Sequence, residues 1–144
     1  MYNYSDIKQM DFSAEQMYQL VKDIEKYPEF LPWCDGLRIK SQNDTEVVAD
    51  MVVGFKSISE KFTSRVNFDE ADKKIIVRYE DGPFKSLENN WRFEENDNGC
   101  LVHFDISFEF KSKLLDMVMS PVFEKIVGKM VSAFEQRAKD LYSG

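Results

Sequence analysis

The sequence predicts an α+β domain in which a curved antiparallel sheet of about seven strands wraps one long C-terminal helix, in the order βααββββββα. Three observations predict it. From Ser112 to Leu141 apolar residues recur at steps of three and four: Met119, Val122, Phe123, Ile126, Val127, Met130, Val131, Phe134, Ala138 and Leu141. Glu124, Lys125, Lys129, Glu135, Gln136 and Lys139 fill the gaps, so this stretch reads as one amphipathic helix with a buried face. Between Gly36 and Phe110 the period changes to two in successive segments joined by short polar turns. The positions opposite the apolar ones are polar, so one sheet face is wet and the other is covered. From Pro121 to Leu141 the helix would span on the order of 30 Å. It is the only element long enough to cover the sheet.

Tyr2 to Met10 alternate weakly, as an edge strand does. Ser13 followed by Gln16 makes a capping box and Phe12 is placed to staple onto Met17, so a helix starts at Ala14 and buries Met17, Leu20, Val21 and Ile24. Pro28 disfavours helical geometry at Tyr27 and ends that helix. It then opens a short second turn through Glu29, Phe30 and Leu31, closed by Pro32. Leu37 and Ile39 share one face of the next strand, and Val47, Ala49, Met51 and Val53 one face of its partner, with Asn43-Asp44 turning between them. Ile58, Phe62, Val66 and Phe68 follow, then the polar turn Asp69 to Lys74, then Ile75, Val77 and Tyr79. Asp81-Gly82-Pro83 breaks that strand. Leu87, Asn89, Trp91 and Phe93 alternate with polar residues up to Asn98-Gly99, a strong hairpin signal. The last strand turns Val102, Phe104, Ile106, Phe108 and Phe110 inward and His103, Asp105, Ser107 and Glu109 outward. Strands joined by such short turns are antiparallel neighbours.

The 144 residues form one domain, with 43% hydrophobic content and twelve Phe, enough for a core without metals or disulfides. The net charge is −7 and no basic block stands out, so direct DNA binding is not expected. Cys34 and Cys100 read as reduced thiols of a cytosolic protein. Met1 to Met10 carry neither a signal nor a transit pattern, and no apolar run reaches membrane-spanning length. The expected location is cytoplasmic, with peripheral contact at the inner face of the membrane.

The catalytic search is negative, and the chain is expected not to be an enzyme. Its one histidine, His103, falls on the wet face of a strand. Cys100 lies three residues away, a separation that sends the two side chains to opposite faces. Two Cys and one His do not make a zinc set, and the isolated glycines make no phosphate loop. Glu60, Glu80, Glu88 and Glu94 are scattered over outward faces and strand ends rather than paired across a cleft. What remains is an apolar excess on the inner face, rich in Phe, with Trp91, Tyr79, Met117, Met119 and Met130. Such residues usually only pack. A curled sheet and one helix do not close tightly at both ends, however, so a cavity for a long hydrophobic ligand is expected between them. Its expected lining is Leu31, Phe62, Trp91, Phe104, Phe108, Val122 and Met130, and Phe55, beside Gly54 in a strand-connecting turn, reads either as a gate or as an ordinary exposed loop aromatic.

Three ordered motifs carry a resemblance. They are Tyr27-Pro28-Glu29-Phe30-Leu31-Pro32-Trp33-Cys34; Asp81-Gly82-Pro83-Phe84-Lys85-Ser86-Leu87 leading to Trp91-Arg92-Phe93; and Phe108-Glu109-Phe110 leading to Pro121-Val122-Phe123 and Ala133-Phe134. On these the chain resembles the polyketide cyclase-like, START-type family, and more closely its coenzyme Q-binding branch, which includes a bacterial ribosome-association toxin. The resemblance covers essentially the whole chain and implies the helix-grip (START-like) fold. It implies non-enzymatic binding of an isoprenoid quinone of the ubiquinone type, with no covalent cofactor, in support of respiratory electron transport. The alternative it implies is binding to the large ribosomal subunit that blocks subunit joining. Lys125, Lys129, Arg137 and Lys139 would then supply the contact surface.

Overall fold

The computed structural model describes residues 2–55 and 58–142. Along the chain run β1 (Tyr2–Met10), α1 (Ala14–Lys22), α2 (Tyr27–Phe30), β2 (Cys34–Gln42), β3 (Glu46–Phe55), β4 (Ile58–Asp69), β5 (Lys74–Asp81), β6 (Phe84–Asn96), β7 (Gly99–Phe110), α3 (Lys113–Met119) and α4 (Phe123–Tyr142). The strands form one antiparallel sheet in the order β1-β7-β6-β5-β4-β3-β2. Each strand from β2 to β7 lies beside its sequence neighbour, as short turns require. The exception is β1, which crosses to pair with β7 in an unbroken register from Tyr2↔Phe108 to Met10↔Cys100. Register shifts interrupt the β2–β3, β4–β5 and β6–β7 ladders. Such bulges bend a strand and increase its twist, and here they help the sheet curl toward the helices.

Local chemistry sets the turns. Asn43 Oδ1 accepts from the backbone N–H groups of Thr45 and Glu46, which closes the β2–β3 turn as an Asx turn. At the β6–β7 hairpin Gly99 adopts φ 132°, in a position where a Cβ would lie 2.1 Å from the Met10 carbonyl oxygen. Only glycine fits there. At the start of α1 the Ser13 hydroxyl accepts from Gln16 N–H while Gln16 Oε1 accepts from Ser13 N–H, so the predicted capping box is formed. Phe12 makes a ring contact with Tyr142, at 5.9 Å between centroids. The helix stops at Lys22, before Tyr27, because Asp23 leaves helical geometry (φ −80°, ψ 68°). A 3₁₀ turn, Ile24–Lys26, leads into α2, with Pro28 in the first turn of that short helix.

Three expectations about the helices are corrected. The stretch from Ser112 is not one helix. Pro121 lacks an N–H and crowds the preceding turn, so α3 ends at Met119, a 3₁₀ turn covers Ser120–Val122, and α4 starts at Phe123. The buried stripe of α4 is also narrower than the apolar pattern: Phe123, Val127, Val131, Phe134 and Ala138 are buried, Val122, Ile126 and Met130 are half-buried, and Leu141 is 51% exposed. Nor does α4 cover the sheet alone. α1 lies on β5, β6 and β7 and buries Met17, Tyr18, Leu20 and Val21, with Tyr18 edge-on to Phe93.

Gly128 interrupts α4 without a steric reason, since a Cβ there would meet nothing within 4 Å. Glycine in a helix interior costs roughly 0.5–1 kcal/mol against alanine. Gly128→Ala is therefore expected to raise stability by about that amount in urea unfolding; a loss of stability would show that the backbone there needs glycine.

Candidate functional site

The interior carries three aromatic groups. At the centre Trp91 packs against Phe104 (centroids 4.7 Å), Phe134 of α4 (5.0 Å) and Phe93 (6.1 Å). Its indole N–H donates to Asn89 Oδ1 at 2.8 Å, and Asn89 Nδ2 donates to the Asp105 carbonyl at 2.7 Å. The buried polar atoms of this pair are thus satisfied within the chain. At one end of the sheet Phe84 meets Phe62, Tyr79, Phe108 and Phe110 at 5.0–5.7 Å, and Tyr2 and Phe123 extend the cluster through Phe108. Tyr2, Phe62, Tyr79, Phe84 and Phe110 are only half-buried, so this end is partly open. The third group is the elbow, where Tyr27 and Phe30 stand edge-on to Phe134. The Tyr27 hydroxyl donates to the Val21 carbonyl, and burial raises its pKa far above the usual phenol range.

Around Trp91 the expected cavity is narrow. Between sheet and α4 there remains a crevice of about 10 Å³, the room of one water, lined by Asp6, Lys8, Met10, Met17, Trp91, Val102, Phe104, Val131 and Phe134. Edge-on aromatic packing fills the rest, a volume that strand patterning does not reveal. A larger groove of about 380 Å³ lies outside, between α1, α2 and the end of α4, and carries Lys22, Asp23, Lys26 and Arg137.

The seven expected lining residues are distributed over these groups. Trp91 and Phe104 line the crevice. Phe108 is buried and Phe62 half-buried in the open-end cluster. Leu31 is buried just after the elbow, Val122 sits half-buried on the 3₁₀ turn, and Met130 is half-buried against the core. The side chain of Phe55, the candidate gate, lies outside the described residues. Three inward polar residues were not anticipated as site residues: Asp6, Lys8 and Asn89. The period-two alternation of β1 was the signal for the first two.

Chemistry is sparse. His103 sits on the outer face, with Nε2 3.0 Å from both Glu94 Oε1 and Arg92 Nη2. Its hydrogen bond holds the Glu94 carboxyl below the usual range. Both cysteines are free and buried; burial, with Glu95 nearby, pushes the Cys100 thiol up to about 11, and burial raises Cys34 as well. Among the described residues no group of three or more His, Cys, Asp or Glu side chains could hold a metal ion, and no helix is long and apolar enough to cross a membrane.

Residues 10–135 match the family described as polyketide cyclase / dehydrase and lipid transport. The chain belongs to this family. It is 41% identical over 133 residues to the ribosome association toxin RatA of Escherichia coli, spanning 92% of this chain and 84% of that protein. It is 35% identical over 143 residues to the mitochondrial coenzyme Q-binding protein COQ10 homolog B of Xenopus laevis, spanning 96% of this chain and 59% of that one. A START superfamily protein from Mycobacterium smegmatis superposes with a TM-score of 0.83 at 20% identity, covering 98% of this chain and 99% of that one, a likeness of fold. The family thus embraces cyclases and dehydrases as well as lipid transport, so membership alone does not decide between catalysis and carriage.

Trp91→Leu is expected to cost roughly 1–3 kcal/mol in a thermal or urea melt, since a packed ring is lost and Asn89 Oδ1 loses its donor. A variant with an unchanged melting temperature would place Trp91 in loosely packed space instead. The raised thiol pKa values leave little thiolate near neutral pH. Ellman's reagent is therefore expected to react slowly with the native protein and to count two thiols only after unfolding; fast reaction of either thiol in the native state would contradict their burial.

Proposed function

We propose that the chain is a non-enzymatic carrier of an isoprenoid lipid with an oxygenated ring, of the ubiquinone type. The observation that carries this reading is the open end of the aromatic interior. Tyr2, Phe62, Tyr79, Phe84 and Phe110 are half-exposed and contiguous, while the outer face of the sheet is polar. Beside them α3 presents Leu114 and Met117 at 69% and 71% exposure, and the Tyr2 hydroxyl donates to the Asp116 carbonyl. An exposed apolar patch of this kind marks a ligand groove or a membrane-contact surface. Each CH₂ buried there gains roughly 0.8 kcal/mol, so a few isoprene units offset the cost of parting the rings. The likeness to a coenzyme Q-binding protein supports the choice of ligand. The carrier works by burial and release, with no bond made or broken in the ligand.

A second reading is a ribosome-directed interaction protein, favoured by 41% identity to a ribosome association toxin along nearly the whole chain. Lys125, Lys129 and Lys139 are exposed and make no ion pair among the described residues, as such a surface would require. Arg137 does not belong with them. It pairs with Glu29 and stacks over Phe30.

Organic extraction of the purified protein followed by mass spectrometry tests the carrier. The expected result is a co-purifying quinone, chemically unchanged, and saturable quenching of Trp91 and Trp33 fluorescence when ubiquinone is added back. An empty protein that shows no quenching and sediments with large ribosomal subunits would overturn it in favour of the second reading.

A further inference from the structure

We propose that Lys8, on the inner face of β1, donates to an oxygen atom of the ligand's head group, with Asp6 beside it placed to accept from a hydroxyl of the reduced ring and the apolar tail running along β1 toward the open end. The inference rests on the carrier reading and assigns the polar end of its site. β1 turns Tyr2, Tyr4, Asp6, Lys8 and Met10 inward and Asn3, Ser5, Ile7 and Gln9 outward. Ile7 is 60% exposed while its two charged neighbours face the interior. Burial favours the opposite arrangement, because an exposed isoleucine forgoes a hydrophobic gain and a half-buried charge loses hydration. The ladder with β7 nevertheless holds the register, placing Asp6 opposite Phe104 and Lys8 opposite Val102.

Neither charge is spent on the protein. Lys8 makes no hydrogen bond or ion pair among the described residues. Among the described residues the Asp6 carboxylate accepts only from the neighbouring Ile7 N–H, at 2.9 Å. Both line the crevice that reaches Trp91, Phe104 and Phe134, where the indole N–H is already taken by Asn89. Lys8 is therefore the donor left for a ligand oxygen, and Asp6 the acceptor left for a ligand hydroxyl. Two positions apart on one strand face, they are separated by about 7 Å, the scale of a substituted ring. From Lys8 to Tyr2 the strand covers about 20 Å, room for a tail of several isoprene units. The seam with α4 is thin along this line. Glu124 lies close enough to help raise the pKa of Tyr4, after burial and Asp6, and Gly128, one turn further along the same helix face, has no side chain.

Inward charges also guard edge strands against pairing with other chains, and the test separates that role from ligand binding. Wild-type protein, Lys8→Met, Lys8→Gln and Lys8→Arg are compared by tryptophan fluorescence titration with ubiquinone and with squalene, an isoprenoid without oxygen, after thermal melts. The expected result is that Lys8→Met and Lys8→Gln weaken ubiquinone binding by about tenfold or more, the loss of one charge-assisted hydrogen bond. Squalene binding stays unchanged in both, and Lys8→Arg retains ubiquinone. Equal affinity of wild type and variants for ubiquinone makes Lys8 an edge guard only and overturns the inference, as does an equal loss for both ligands. Wild-type protein that takes up neither ligand overturns the carrier reading itself.

Discussion

Phe134 against Trp91 is the contact on which the rest of the structure depends. Through it α4 is seated on the middle of the sheet, and the same phenylalanine receives Tyr27 and Phe30 from the elbow on its other side. Sheet, C-terminal helix and N-terminal helical segment therefore meet at one ring. The partners are edge-on, the arrangement that aligns ring edges with ring faces and adds to the burial energy. Because this contact also closes the crevice, the forces that stabilise the fold and those that exclude a ligand are the same. Any ligand that reaches Trp91 must replace aromatic contacts with equivalent ones, which selects for flat or unsaturated apolar molecules.

Much of this architecture was legible in the residues. Alternation located each strand from β2 to β7, because one wet face and one covered face leave a period of two in the chain. The capping box marked the first residue of α1, since Ser13 and Gln16 satisfy each other's backbone donors whatever lies beyond them. Other features depended on distance rather than order. The break at Pro121 was visible as a residue, yet the apolar pattern runs through it, and pattern outweighed the missing N–H. The width of the buried stripe on α4 could not be read, since Val122 and Ile126 are as apolar as Phe123 and Val127 and only the packed sheet separates them. The interior volume depends on how twelve phenylalanines choose rotamers together. Asp6 and Lys8 stood in the weakest alternation of the chain, where charge on an inner face reads as noise until a partner strand fixes the register.

The outer face is held by a different chemistry. Arg65 on β4 joins Glu46 of β3 and Glu80 of β5, while Arg92, Glu94 and His103 link β6 to β7. These groups are substantially exposed, and pairs of this kind contribute little each to stability. Their effect is on register: opposite charges meet only when the strands are correctly aligned, on a chain whose net charge is −7. Against that acidic background the segment from Lys111 to Lys129 carries four lysines and two acidic residues. It also includes the exposed apolar residues of α3.

The pairing of β1 with β7 has a consequence for how the molecule is made. Tyr2 finds its partner in Phe108, so the strand of this sheet that comes first along the chain pairs with the one that comes last. At about 5–20 residues per second, translation leaves β1 without its neighbour for roughly 5–20 s. During that interval β2 to β6 can assemble as a meander, each strand beside the one just made, while the N-terminal segment stays single. Lys8 and Asp6 also bear on the nascent chain, because a strand with charge on its inward face is a poor template for another chain's edge. Closure is a late event with a long loop to close, which makes the β1–β7 seam the expected slow step of folding and the first to open in a destabilised variant.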